Sequence, residues 1–317
     1  MAAQRSTPEH LHNAGARPTG TATDQDAAAN VQQMFDTIAP KYDLLNHVLS
    51  VGIDRWWWSR AARTFRPILQ RPEAVALDLC CGTGDMTLAL LKHRPEAAQN
   101  RVENGVPHLR DSLIVAKVGE APQNPNGVPL PAFQSPGAPS FAVASRRVGD
   151  ENPEIAPILA PILAIDFSHQ MLSRGAKKFA PYNILPIEAD ALHLPLADNS
   201  IDLVTSAFGF RNLSNYEAGL AELHRVLRPG GQIGILDFNQ PTGFSGALYN
   251  LYFKQILPRF GGLISGDPGA YSYLPESVAR FPRPSRMLEL IANAGFIHPT
   301  WTSYTFGTAG LYRATKP

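Results

Sequence analysis

The sequence has little cysteine and almost no net charge, and each shortage excludes a class of protein. Its only cysteines, Cys80 and Cys81, are adjacent, so they can form neither an ordinary structural disulfide nor a four-ligand zinc site. We therefore expect no metal and a reducing, cytoplasmic compartment. The net charge of +1 comes without a basic stripe, which argues against a nucleic-acid partner.

Long apolar runs are also missing. None approaches the roughly 20 residues that span a bilayer, and the start of the chain lacks the apolar core of a signal peptide. The hydrophobic share of 44% over 317 residues is ordinary for a globular core. We expect a single domain at 30–317, preceded by a disordered tail at 1–29. A largely disordered insertion, rich in Pro, Gly, Asn, Ser and Gln, interrupts it at about 97–157; inside it, 112–118 is a candidate strand.

The stretch from Val75 to Asp85 organises the rest of the chain. Its apolar start predicts a buried parallel strand, and Gly82 and Gly84 predict a strand-to-helix turn close to a ligand. Glycine has no Cβ, so the main chain can take positive φ and a bulky cofactor can approach it. A dinucleotide site would need a third glycine where Thr87 stands, and this weakens a nicotinamide interpretation.

Strands and helices then alternate, which predicts a mostly parallel, Rossmann-like α/β sheet with helices on both faces. The helix after Ser168, its expected N-cap, should run to about Phe179. The last two strands should form a hairpin-like pair at the sheet edge. The expected later strands are Ile162–Asp166, Ile184–Glu188, Ile201–Ala207, Gln232–Phe238, Thr300–Tyr304 and Gly310–Thr315.

Acidic residues follow two of these strands. Asp166 ends its strand where doubly wound sheets bind the two ribose hydroxyls of an adenosine, because one carboxylate can accept both hydrogen bonds. Asp190 lies just past the next strand and could hold an adenine amino group; a solvated loop residue is the alternative. In the triplet Trp56–Trp58, core packing is the ordinary explanation for each ring, but at least one is expected over a groove or interface.

Five motifs together resemble the quinone-biosynthesis C-methyltransferases of the UbiE/MenG/Coq5 family. The resemblance covers about 31–96 and 160–316. The motifs are Lys41-Tyr42-Asp43 with Ser50-x-Gly52, the segment Asp78 to Asp85, Phe208-Gly209-x-Arg211-Asn212, Arg225-Val226-Leu227-x-Pro229-Gly230-Gly231, and Tyr271-x-Tyr273-Leu274-x-x-Ser277.

The resemblance implies S-adenosyl-L-methionine as cofactor and a seven-stranded class I methyltransferase fold. It also implies methylation of a ring carbon on a prenylated quinol. It makes Thr83 the turn residue that contacts the cofactor, Asp166 the ribose ligand, and Asp190 with Ala191 the adenine contacts. Ala207 and Asp190 are more like the menaquinone branch than the ubiquinone branch. The expected cofactor-binding set is Asp78, Gly82, Thr83, Gly84, Asp166, Asp190 and Ala191.

Quinol chemistry suggests the catalytic candidates. A ring carbon becomes nucleophilic when a neighbouring hydroxyl loses its proton, so the site needs a proton acceptor or relay and a group that stabilises the phenolate. We expect Arg211 to supply positive charge, and Tyr42, Asn212 or an ordered water to relay the proton. A structural Arg211 paired with a core carboxylate is the alternative.

The substrate implies a membrane. A prenylated quinol resides in the bilayer, so we expect peripheral contact with its inner face, and the segments around Trp56–Trp58 and 249–273 are candidates for the wall around the prenyl chain. Alternatives stay open: benzoquinol methylation in the ubiquinone pathway, a non-catalytic scaffold that keeps the cofactor fold, and an NAD-dependent oxidoreductase.

Overall fold

The computed structural model describes residues 15–16, 21, 23–40, 52–96, 114–115, 159–241 and 268–317. Over these residues the sheet has the order β2-β4-β3-β1-β5-β6-β8-β7. Neighbouring strands from β2 to β6 are parallel, and β8 is antiparallel to both of its neighbours. The strands are β1 Ala76–Leu79, β2 Ile114–Val115, β3 Ile162–Asp166, β4 Ile184–Glu188, β5 Ile201–Ala207, β6 Leu227–Phe238, β7 Ile297–Tyr304 and β8 Ala309–Thr315.

Helices cover both faces of this sheet, and each face has its own core. Trp57, Phe65 and Phe179 belong to the core on one face; Phe210, Tyr216 and the apolar side of the last helix belong to the other. The helices are α1 Asp24–Ile38, α2 Ile53–Thr64, α3 Arg66–Leu69, α4 Asp85–Leu91, α5 His169–Phe179, α6 Tyr216–Val226, α7 Pro268–Arg280 and α8 Pro284–Asn293. The expected α/β class is confirmed.

The first helix extends into the expected tail. Residues 24–29, assigned above to a disordered tail, form the start of α1. Thr23 caps the helix: its hydroxyl accepts from the Asp26 N–H, and the Asp26 carboxylate accepts from the Thr23 N–H, each at 3.1 Å. This reciprocal pair satisfies two otherwise unpaired donors, and alanines 27–29 are strong helix formers. The remainder of the expected tail before residue 15 lies outside the described residues.

Other boundaries also differ from the expectations: β7 begins at Ile297, three residues before the expected Thr300. Most of the expected insertion lies outside the described residues, but Ile114 and Val115 pair in parallel with the end of β4 and add a short eighth strand at the edge. The fifth expected strand begins at Leu227, not Gln232. Its pairing with β5 shifts register after Leu227, and Gly230 takes φ +79° at this irregularity.

Within the part of the chain that the structure describes, no helix is long and apolar enough to cross a membrane.

Candidate active site

A cavity lies at the carboxyl ends of β1, β3 and β5, with the loop after β4 on its wall. The chain order of the sheet reverses at β1, which is where open α/β sheets bind ligands. Tight turns open this edge: Cys80 and Phe208 have positive φ directly after β1 and β5. Among the described residues, the lining consists of Ala28, Val31, Gln32, Phe35, Cys80, Gly82, Asp166, Phe167, Ser168, Met171, Asp190, Ala191, Leu192, Ala207, Phe208, Gly209, Asn212, Leu213 and Ser214.

Asp166 is held in the cavity wall by two backbone donors. One carboxylate oxygen accepts from Gly82 N at 2.7 Å and the other from Ser168 N at 2.8 Å. Burial raises the pKa of Asp166 to about 6, although these N–H donors oppose the shift. Each carboxylate oxygen has more than one acceptor position, so both can still accept hydroxyl protons. The position fits the ribose role inferred from the sequence.

Asp190 and Ala191 line the same cavity beyond β4. One Asp190 oxygen accepts from Leu192 N at 2.9 Å, and the other lies 3.0 Å from Nδ1 of the exposed His193. Asp190 is therefore more than a solvated loop residue, because contacts within its own turn fix the carboxylate and the residue lines the cavity. The structure brings Asp190, Ala191, Asp166 and Gly82 together.

Asp78 and Gly84 both make contacts inside the protein, and their cofactor-binding roles stay predictions. Asp78 is fully buried behind the turn and outside the cavity lining, where it accepts from the hydroxyls of Thr87 at 2.6 Å and Thr205 at 3.0 Å. Burial raises its pKa to about 7. Gly84 faces a ring, not a ligand: with φ +91°, an added Cβ would lie 2.2 Å from Phe179.

Thr83 lies in the turn after β1, and Thr87 lies in the helix that follows it. Thr83 is buried and is not part of the lining, and its contact with the cofactor stays a prediction. Thr87, at the position of the missing third glycine, ties α4 to β1 through Asp78. Gly82 remains the turn glycine that lines the cavity.

Arg211 is buried in an ion pair. It follows β5 in the 3-10 turn Phe210–Asn212, and its guanidinium lies 3.0 Å from Asp237 in β6. The guanidinium also donates to Phe208 O and lies over the Phe238 ring. Burial raises the pKa of Asp237, and the Arg211 charge opposes that shift. This is the structural pairing named above as the alternative, and it leaves the pair close to neutral overall.

Asn212 lines the cavity, and a hydrogen bond from a tyrosine orients its side chain. Its Oδ1 accepts from the hydroxyl of Tyr273 in α7 at 3.0 Å. Burial raises the pKa of Tyr273 to about 12, so the phenol keeps its proton and donates. This bond fixes the orientation of the amide, whose N–H groups are the donors of Asn212. Tyr42, the third catalytic candidate, lies outside the described residues.

Aromatic rings extend the cavity wall towards the surface. Phe208 packs on Phe238 with ring centroids 4.5 Å apart, and Trp57 packs on Phe208 at 5.6 Å. Trp57 and Trp58 are buried, whereas Trp56 is 50% exposed. Core packing therefore describes Trp57 and Trp58, and Trp56 is the ring left for the expected groove or interface. The expected wall at 249–273 lies mostly outside the described residues.

Sequence reasoning missed the part that α1 plays. The helix covers the cavity with Val31 and Phe35, and Gln32 Nε2 donates to Phe167 O at 2.9 Å. Asp36 accepts from the Ser168 hydroxyl and from Gln170 N, both at the start of α5. The available signal was the apolar face of α1, which had no assigned partner in the sequence.

The lining suits S-adenosylmethionine. Asp166 offers ionic acceptors for ribose hydroxyls, Asp190 offers one for an amino group, and Gly82 leaves its backbone unobstructed. Phe167, Met171 and Leu192 line the same cavity and supply the apolar surface that an adenine ring needs. Carboxylate acceptors and apolar surface in one cavity match the polar and apolar groups of an adenosine.

Comparison with known proteins agrees with this assignment. A demethylmenaquinone methyltransferase from Deinococcus radiodurans is 36% identical over 295 residues, 92% of this chain and 95% of that protein. The mitochondrial 2-methoxy-6-polyprenyl-1,4-benzoquinol methylase of Mus musculus is 29% identical over 301 residues, 93% and 82% of the two chains. A SAM-dependent methyltransferase structure from Thermotoga maritima matches with a TM-score of 0.52 at 14% identity, covering 90% of this chain and all of that one, and supports the fold.

The model of the ubiE/COQ5 methyltransferase family matches residues 22–121 and 137–316. The resemblance stated from the five motifs is therefore confirmed, and with it the enzyme class and the cofactor. The chain belongs to the ubiE/COQ5 methyltransferase family of S-adenosylmethionine-dependent enzymes.

Proposed function

We propose that this methyltransferase acts on a prenylated naphthoquinol and converts demethylmenaquinol to menaquinol. The proposal rests on the sequence similarity to the protein from Deinococcus radiodurans, which is named for that substrate and matches nearly the whole of both chains. The benzoquinol methylase relative is less similar. Ala207 and Asp190, which both line the cavity, favour the same branch.

Asp166, Asp190, Ala191 and Gly82 would hold the cofactor in this proposal. When bound, S-adenosylmethionine supplies an electrophilic methyl group on a sulfonium sulfur. The protein's part is to fix the acceptor ring in line with that methyl group, which is a positioning effect. The Phe208 ring in the lining, with Trp57 packed on it, would exclude water from this position.

Asn212 is our proposed donor to the quinol oxygen. Loss of a hydroxyl proton makes the neighbouring ring carbon nucleophilic, and an amide N–H directed at the oxygen stabilises the charge that develops there. A neutral amide is not basic enough to take the proton, and the hydrogen bond from Tyr273 orients it, so Asn212 is suited to donate. We propose Tyr42 or an ordered water as the proton relay.

Arg211 is not part of the cavity lining, but it supports the residues that are. Its bonds to Phe208 O and to Asp237 hold both ends of the 208–212 turn, so it fixes Phe208 and Asn212 relative to each other. A guanidinium that is already paired offers an oxyanion less net charge than a free one. We propose positioning as its main role, with direct stabilisation of the oxyanion as the competing role.

The experiment is methyl transfer with two acceptors in parallel, demethylmenaquinol and a demethylated benzoquinol of the same prenyl length. The proposal predicts that the naphthoquinol gains one methyl group, seen by mass spectrometry, with kcat/KM at least about tenfold above the benzoquinol, a difference of about 1.4 kcal/mol in transition-state stabilisation. Preference for the benzoquinol would move the enzyme to the ubiquinone pathway. Cofactor binding without transfer to either acceptor would favour the scaffold alternative.

A further inference from the structure

The outer face of α2 combines unpaired positive charge with exposed aromatic and aliphatic side chains. Buried residues of this helix, such as Trp57 and Ala61, face the core, and the opposite stripe is exposed. At 100° per residue, the exposed positions fall on one side of the helix. They are Ile53, Arg55, Trp56, Ser59, Arg60 and Arg63; we call them the α2 outer face.

The charge on this face has no acidic counterpart. None of Arg55, Arg60 and Arg63 forms an ion pair with a carboxylate in the part of the chain that the structure describes. Arg63 and Arg66 lie close enough to His93 that their charges, after partial burial of the ring, lower the His93 pKa. The positive field therefore continues past the end of α2.

Exposed apolar groups accompany these cations. Trp56 is 50% and Ile53 39% exposed, and Phe306, in the turn between β7 and β8, is 87% exposed. That turn is fixed to α2, because Trp57 Nε1 donates to the Thr305 hydroxyl at 2.8 Å. Arg60 lies over the rings of both Trp56 and Tyr304. Amphipathic aromatic rings beside arginines are typical of surfaces that lie in a membrane interface.

The α2 outer face is also one layer of rings away from the active site. Trp56 precedes the buried Trp57 in the helix, and Trp57 packs on Phe208, which lines the cavity. A quinol ring in the cavity could therefore keep its prenyl chain in contact with aromatic surface on the way to lipid.

We propose that the α2 outer face, together with Phe306, docks on an anionic phospholipid surface, where arginines contact headgroups and Trp56, Ile53 and Phe306 enter the interface. Docking itself does not depend on the reaction; its purpose, delivery of a bilayer substrate, rests on the proposed function. Charge complementarity selects this occupant, since three exposed arginines without acidic partners favour an anionic surface over a neutral one.

The test is sedimentation of the full chain with vesicles of phosphatidylglycerol and phosphatidylcholine, against vesicles of phosphatidylcholine alone. Wild type should bind the anionic vesicles and be released by salt, since the Debye length shortens. Arg55→Glu/Arg63→Glu should weaken binding by at least about 30-fold, because each cation near an anionic surface contributes about fivefold. Phe306→Ser should remove most of the binding that survives high salt.

A matched control lies on the other face of the sheet. Arg283→Glu/Arg286→Glu makes the same charge change at the start of α8, whose Met287 and Leu290 pack in the opposite core. The control should bind vesicles like wild type. Equal loss in both double variants, equal binding to neutral vesicles, or no binding by wild type would each overturn the proposal. Binding to heparin as tight as to the anionic vesicles would also overturn it, since the face would then be a general polyanion site.

Activity separates this proposal from the proposed function. Arg55→Glu/Arg63→Glu should methylate a short-chain, water-soluble demethylnaphthoquinol at the wild-type rate and lose at least about tenfold on a vesicle-embedded long-chain substrate, in line with its weaker docking. If wild type methylates neither substrate, the proposed function fails while the sedimentation result still decides the docking surface.

Discussion

Tyr273→Phe tests the proposed role of Asn212 with a control that the same molecule provides. The substitution keeps the ring and removes the hydroxyl that donates to Asn212 Oδ1 at 3.0 Å. Tyr312 makes the same kind of bond, at 2.6 Å, to Asn239 Oδ1. Asn239 is buried but is not part of the cavity lining, so Tyr312→Phe removes an equivalent bond outside the cavity.

The two bonds set the expected size of the effects. Loss of a neutral hydrogen bond with a partly buried acceptor left unpaired costs about 1–2 kcal/mol. In Tyr312→Phe this should appear as lower stability, with kcat within about twofold of wild type. In Tyr273→Phe the Asn212 amide loses its fixed orientation, so kcat should fall about 5–10-fold, equivalent to about 1–1.4 kcal/mol.

The assay measures kcat, the affinity for S-adenosylmethionine and the free energy of unfolding for both variants. We expect the cofactor affinity of Tyr273→Phe to stay within about twofold of wild type, because Asp166 and Asp190 are not changed. Wild-type kcat in Tyr273→Phe, or an equal fall in kcat in both variants, would refute the proposed orientation of Asn212.

Three further predictions follow from the geometry of the site and its supports. Because burial raises the pKa of Asp166 to about 6, and only the ionised carboxylate can accept both ribose hydroxyls, cofactor affinity should fall up to about tenfold for each pH unit below 6; calorimetric titration of wild type and Asp166→Asn checks this, and the same pH dependence in the variant would contradict it. Arg211→Met leaves the Asp237 carboxylate buried without its cation and should lower the free energy of unfolding by about 3–5 kcal/mol, while Arg211→Met/Asp237→Asn should recover at least half of the loss. A single variant within about 1 kcal/mol of wild type would mean that the pair is not buried as described. Gly84→Ala should cost at least about 2 kcal/mol more than Gly230→Ala in chemical denaturation, because both need positive φ but the new Cβ would meet Phe179 only at position 84; equal costs would remove the steric part of this argument.

The strands were predictable because their residues are locally consistent. β3, β4 and β5 have the expected bounds, and α5 begins after Ser168 as expected. Each is an apolar run or a capped amphipathic segment, so the pattern and the packing agree. The start of α1 was missed because its capping pair, Thr23 with Asp26, lies in a stretch with no hydrophobic period.

Contacts between distant residues explain the other differences. Nothing near Gly84 in the sequence indicates that Phe179 fills the space above it. Likewise, Arg211 could have faced solvent, ligand or any carboxylate, and only the register of β6 beside β5 places Asp237 next to it. Spacing identifies which residue types a site contains, whereas the tertiary fold decides which of them are paired in the core and which remain available to a ligand.

We propose that the cavity beside Asp166 binds S-adenosylmethionine, whose methyl group is then transferred to a quinol. The most direct measurement is calorimetric titration of the purified protein with S-adenosylmethionine, followed by mass spectrometry of demethylmenaquinol incubated with the complex. We expect saturable binding that Asp166→Ala weakens by at least about 1.5 kcal/mol, the loss of one hydrogen bond to a charged acceptor, and the gain of one methyl group on the naphthoquinol. Wild-type affinity in Asp166→Ala, or binding without methyl transfer, would overturn this assignment.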